Sequence, residues 1–81
     1  MLYFARLRQK IGKSEEQVDL PDDVETVGDL AVLLAQRGAG YADAFSDLKQ
    51  VRAAVNQIHV GFDARVAATD EVAFFPPVTG G

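Results

Sequence analysis

The chain has 81 residues, 48% of them hydrophobic and 25% charged, with a net charge of −4. A chain of this length makes one small domain that buries roughly 60–65% of the surface its unfolded form exposes, and its composition is that of a globular protein rather than a disordered one. With no cysteine and one histidine, it has no material for disulfides, thiolate metal sites, a cysteine nucleophile or a His-based metal site, and its acidic balance disfavours nucleic acid as a partner.

The first segment, Leu2 to Arg8, reads as a strand, with Tyr3, Ala5 and Leu7 on one face and Leu2, Phe4 and Arg6 on the other. Gly12-Lys13-Ser14 supplies a turn and Gln17 to Leu20 a return strand, which together predict an N-terminal hairpin closed off by Pro21-Asp22-Asp23. Thr26 to Arg37 is the expected helix. Thr26 and Asp29 fit a capping pair, Val27, Leu30, Leu33 and Leu34 form one apolar stripe, and Gly38 and Gly40 stand as stop signals. After a linking segment from Tyr41 to Lys49, strands are expected at Val51–Asn56, Ile58–Phe62 and Glu71–Phe75. The order β-β-α-β-β-β, with one helix across one face of a mixed five-stranded sheet, points to an α+β fold of the β-grasp type. The domain is expected to span 1–75 and the tail 76–81.

The chain ends Phe74-Phe75-Pro76-Pro77-Val78-Thr79-Gly80-Gly81. Pro76 and Pro77 lack N–H donors and lock φ, so the last strand must stop at Phe75 and the chain leave in an extended direction. Six residues at about 3.1–3.5 Å each reach roughly 20 Å. Gly80 and Gly81 carry no side chain, so the tip can enter a channel too narrow for other residues. A terminal carboxylate can attack the α-phosphate of ATP to give an acyl adenylate, and sulfide can displace AMP to leave a thiocarboxylate. Without cysteine, that carboxyl group is the evident place to hold transferable sulfur. On the two glycines alone, a frayed end is as good a reading.

The run from Asp70 through Gly81 resembles the C-terminus of the small, sulfur-carrying subunit of molybdopterin synthase. Ala53-Ala54-Val55-Asn56-Gln57 is similar to that family's central strand and turn, and Phe4-Ala5-Arg6-Leu7-Arg8 to its first strand. The resemblance implies a ubiquitin-like β-grasp carrier. An adenylating enzyme of the ubiquitin-activating kind would use ATP to activate Gly81, and a sulfur donor would convert it to a thiocarboxylate. The tail (Pro76, Pro77, Val78, Thr79, Gly80) would then insert into the large subunit of the synthase in a hetero-oligomer, a heterotetramer by family resemblance. Two transfers would build the dithiolene of molybdopterin on cyclic pyranopterin monophosphate. Catalytic side chains are implied on the large subunit, so this chain is read as a carrier, not an enzyme, with no cofactor of its own.

Phe74 and Phe75 point to opposite faces of their strand, and Phe75 is read as the residue that docks the partner. His59 is read as a sheet position. Asp22-Asp23 and Asp70-Glu71 are read as turn residues, and Arg6 and Arg8 as surface charges. Three other functions share these features: a carrier for thiazole or tRNA thiolation, a ubiquitin-like modifier of protein lysines, and a plain binding module with a frayed tail. No apolar run approaches the roughly 20 residues of a membrane span. Met1 opens directly onto a strand-like run rather than a cationic leader, so a soluble, cytoplasmic protein without membrane contact is expected.

Overall fold

A computed structural model describes residues 1–77. Its elements are β1 (Leu2–Tyr3), α1 (Ala5–Ile11), α2 (Val27–Ala35), α3 (Ala39–Ala44), a 3-10 turn (Leu48–Gln50), β2 (Arg52–Val55), β3 (Ile58–Val60) and β4 (Val72–Phe75). The four strands form one mixed sheet in the order β1-β4-β2-β3. β1 runs parallel to β4, while β2 is antiparallel to both β4 and β3.

The clearest expectation from the sequence is met by α2. Thr26 Oγ1 accepts the Asp29 N–H at 3.1 Å, and the Asp29 carboxylate accepts the Thr26 N–H at 3.2 Å. This reciprocal pair satisfies backbone donors that the first helical turn would leave open. Two more are taken by the segment after β3: Val27 N–H donates to the Ala64 carbonyl and Gly28 N–H to that of Phe62. Val27, Leu30 and Leu34 are fully buried, with Ala31 beside them and Leu33 packed at the edge. They press on the sheet face formed by Tyr3, Ala53, Val72 and Phe74, with Phe45 edge-on to Phe74 at 5.0 Å between ring centres.

The N-terminal hairpin is a correction. The strand expected over Leu2–Arg8 ends at Tyr3, and Ala5–Ile11 is helical. Alternation over so few residues cannot separate a strand from a helix, and Ala, Arg, Leu, Gln and Lys are all strong helix formers. Leu7 and Ile11, four residues apart, put one side of α1 on the core. Gly12 closes the helix in the left-handed conformation, φ 86°, its N–H bonded to the Arg8 carbonyl. The return strand Gln17–Leu20 is likewise not formed. Pairing is confined to residues 14–16, where Leu2 bridges Glu15 and Tyr3 N–H donates to the Ser14 carbonyl. The sheet therefore has four strands where five were expected, and three α-helices where one was. Gly38 and Gly40 do not act together as a stop: α2 ends at Ala35 with Gln36 as its cap, Gly38 caps the start of α3, and Gly40 lies inside α3. A Cβ on Gly40 would collide with the Lys10 carbonyl oxygen, so this glycine lets α3 approach α1 closely.

Although the return strand is missing, its segment is held firmly by Glu16. The Glu16 carboxylate accepts hydrogen bonds from Tyr41 Oη at 2.7 Å and Tyr3 Oη at 2.9 Å, with Arg37 and Lys13 within ion-pair distance. Burial pushes its carboxyl group up, but the two phenol donors and the two cations outweigh that, and the balance lies below the usual range. A depressed folded-state value means that this group stabilises the fold above its unfolded value and ceases to as pH falls through the folded one. Glu16→Gln is expected to cost about 1.5–3 kcal/mol near neutral pH, the range for hydrogen bonds to a charged group. That difference from the native chain should shrink below about pH 4. Urea unfolding of both proteins across that range checks it; a pH-independent difference would show that the charge is irrelevant.

Candidate functional site

The site is built on the exit end of β4. β4 is an interior strand, held by β1 on one side and β2 on the other, so the direction in which the chain leaves is set by the whole sheet. The ladder runs to its end: Arg52 pairs with Phe75, and the Phe4 N–H donates to the Phe74 carbonyl at 3.1 Å. Pro76 follows at once and stops it, having no N–H to continue.

Alternation along β4 separates the two phenylalanines. Phe74 is fully buried under the helices, whereas Phe75 is half-buried on the opposite face. The register assembles that open face: Leu2 beside Ala73, Phe4 after Tyr3 at the end of β1, and Arg52 and Ala54 from β2. His59 of β3 stands opposite Ala54. The rings of Phe75 and His59 meet across β2, 5.1 Å between centres and tilted by 50°. Ala54 is buried although it lies outside the helix-side core cluster. Phe4, 46% exposed, extends the apolar surface at the exit end. Neighbours such as Phe4 and Arg52 were missed from sequence because strand register cannot be read there; the placement of Phe4 opposite Tyr3 was the available signal.

Pro76 and Pro77 are half-buried. Val78, Thr79, Gly80 and Gly81, the residues expected to thread a partner and carry the reactive carboxylate, lie outside the described residues. Asp22-Asp23 form a turn closed by the Val24 N–H on the Pro21 carbonyl. The Asp70 carboxylate accepts from the Ala67 N–H and from Asn56 Nδ2, which holds it below the usual carboxylate range. Both acidic pairs thus belong to turns, and no cluster of three His, Asp or Glu that could hold a metal occurs among the described residues. Arg6 and Arg8 are exposed on α1. No helix among the described residues is long and apolar enough to cross a membrane.

The ThiS family model matches the chain over residues 1–81. The chain belongs to the ThiS family. As a ThiS-family member it is 43% identical over its full length to the molybdopterin synthase sulfur carrier subunit of Escherichia coli, covering 96% of that protein. It is 40% identical to the subunit of the same name from Haemophilus influenzae, with the same coverage. Among solved structures, SAMP1 from Haloferax volcanii superposes with a TM-score of 0.72 at 29% identity, over 99% of this chain and 94% of that one. The architecture is thus the ubiquitin-like β-grasp, an α+β fold with a mixed sheet, as the sequence led one to expect, apart from the numbers of strands and helices.

Proposed function

We propose that the chain is the sulfur carrier subunit of a molybdopterin synthase and that its last carboxyl group carries the sulfur. The observation that carries this reading is whole-length similarity to proteins of that function. The interior strand β4, followed at once by Pro76-Pro77, is a fitting base for a working tail.

In this mechanism an adenylating partner binds ATP, and the Gly81 carboxylate attacks the α-phosphate, releasing pyrophosphate. A sulfide equivalent from a donor then adds to the acyl carbon and AMP leaves, so that one carboxyl oxygen is replaced by sulfur. Inserted in the large subunit, the thiocarboxylate sulfur bonds to a side-chain carbon of cyclic pyranopterin monophosphate in place of an oxygen. Water cleaves the resulting acyl–sulfur bond to return the Gly81 carboxylate, and a second charged carrier completes the dithiolene. Val78, Thr79 and Gly80 serve as the thin stalk. The chain itself holds neither ATP nor metal, and the catalytic side chains belong to the large subunit. Phe75, with Phe4 and His59 around it, is the apolar surface that docks that subunit. An exposed patch rimmed by polar groups is what such a contact requires.

Intact-mass measurement after incubation with an adenylating enzyme, ATP and a sulfide donor tests the reading. The expected product is the whole chain with one oxygen exchanged for sulfur, located to its C-terminal peptide. An unchanged mass, under conditions that convert the E. coli carrier subunit, would exclude it. A second reading, a modifier joined to lysines through the same activated carboxyl, is favoured by the similarity to the small archaeal modifier protein 1 of H. volcanii. It predicts isopeptide-linked forms of the chain in a lysate.

A further inference from the structure

We propose that Arg52 receives a carboxylate of the synthase large subunit when the open sheet face docks, fixing the orientation in which the tail is presented. The proposal rests on the carrier reading above and adds a residue that determines specificity for it.

Arg52 opens β2 and pairs across the ladder with Phe75, the last residue of β4. Side chains opposite one another in antiparallel strands lie about 4.5–5.5 Å apart at Cβ, so this arginine roots beside the point where the tail departs. Its Nη1 donates to two carbonyls, Lys49 at 3.1 Å and Val51 at 3.2 Å. These bonds hold the guanidinium and leave three N–H groups, on Nε and Nη2, without an acceptor among the described residues. Ion pairs among the described residues use Lys10, Lys13, Arg37 and Arg65, and Arg52 is in none of them. A guanidinium fixed by two backbone acceptors has little orientation left to lose, and its remaining donors match a carboxylate in two parallel bonds.

A tail extended into the large subunit would carry its tip group away from Arg52. An extended run from Pro76 to Gly81 would put the carboxyl group, or a phosphate bound to it, roughly 20 Å beyond Phe75, out of reach of an arginine rooted beside Phe75. The acceptor proposed for Arg52 is accordingly a group on the surface that covers the sheet. The charge balance along the sheet changes: Glu15, Asp70 and Glu71 flank the starts of β1 and β4, while Lys49 and Arg52 flank the exit end, with Asp47 capping the 3-10 turn beside them. A large subunit with an acidic group facing the exit end would be attracted in one orientation and repelled in the reversed one.

Calorimetric titration of the full-length chain with the large subunit of the same organism, at low and high salt, tests this. Arg52→Glu is expected to weaken binding at least tenfold, and Arg52→Lys less, since an ammonium replaces the planar fork. Arg52→Gln should reduce the salt dependence of Kd. Because Arg52 is exposed, the melting temperatures of the free variants should match the native chain. Phe75→Glu serves as the reference for docking through this face. If Arg52→Glu and Arg52→Gln bind like the native chain while Phe75→Glu does not, the arginine proposal is overturned and the carrier reading stands. It is equally overturned if Arg52→Glu loses only thiocarboxylate formation and keeps its affinity for the large subunit. If the native chain itself fails to bind the large subunit, the carrier reading falls, and this proposal with it.

Discussion

Leu34→Ala and Leu30→Ala are each expected to remove about 2–5 kcal/mol of stability, the range for truncating a fully buried leucine. Both side chains have no exposed surface and lie at the centre of the cluster that joins α2 to the sheet. A chain of this length has about 4–12 kcal/mol of net stability in all, so either change takes a large share of it. At about 4–8 °C per kcal/mol for a domain of this size, the melting temperature should fall by about 8 °C or more. Val32, on the same helix but 55% exposed, supplies the control: Val32→Ala should stay within about 0.5 kcal/mol. Chemical unfolding of the three variants decides the matter. Losses below about half a kcal/mol at both leucines would mean that the apolar stripe does not face the core.

What the sequence made legible follows from which interactions are local. The α2 cap is a matter of two side chains three residues apart, and the stripe of Val27, Leu30 and Leu34 repeats at one period, so both could be read directly. β2, β3 and β4 were readable within a residue or two, because Asn56-Gln57 and Pro76 mark their ends. α1 was not, because Tyr3, Ala5 and Leu7 satisfy a strand while Leu7 and Ile11 satisfy a helix. The choice was made by strong helix formers and by Gly12, which can take the left-handed closing conformation at no steric cost. Losing residues 5–11 to a helix removed the partner that Gln17–Leu20 would have needed. That segment is tied down instead by Glu16, whose phenol donors come from Tyr3 and Tyr41, far away in sequence.

The candidate site divides in the same way. The chemistry proposed for the last residues draws on their identity alone: two glycines, no cysteine elsewhere, and two prolines that end a strand. The surface around the base of the tail is not, since it depends on the register of three strands. Phe4, Arg52, Ala54 and His59 are separated in sequence and meet around Phe75 only because β1 and β2 flank β4 at one particular offset. Choosing between Phe74 and Phe75 also required knowing which face the helices cover.

Deleting Gly81, or adding one residue after it, is expected to abolish sulfur loading while leaving the fold intact. The deletion leaves a carboxylate of the same chemical type on Gly80 but withdraws it by about 3.5 Å. Reactions controlled by positioning lose about a hundredfold for a misplacement of only about 1 Å, so an equivalent group in the wrong place should be nearly inert. The extension fails for a different reason: the Gly81 carboxyl becomes an amide, which cannot attack ATP, and the new side chain enters a space sized for glycine. Neither change touches the core, whose buried residues among those described all lie between Tyr3 and Phe74, and terminal residues contribute little to stability. Both variants should therefore melt with the native chain and bind the large subunit through the open sheet face, yet form no thiocarboxylate by intact mass and support no dithiolene synthesis. Loading of either variant at the native rate would defeat the assignment of Gly81, because it would show that neither the position nor the freedom of the last carboxyl group matters.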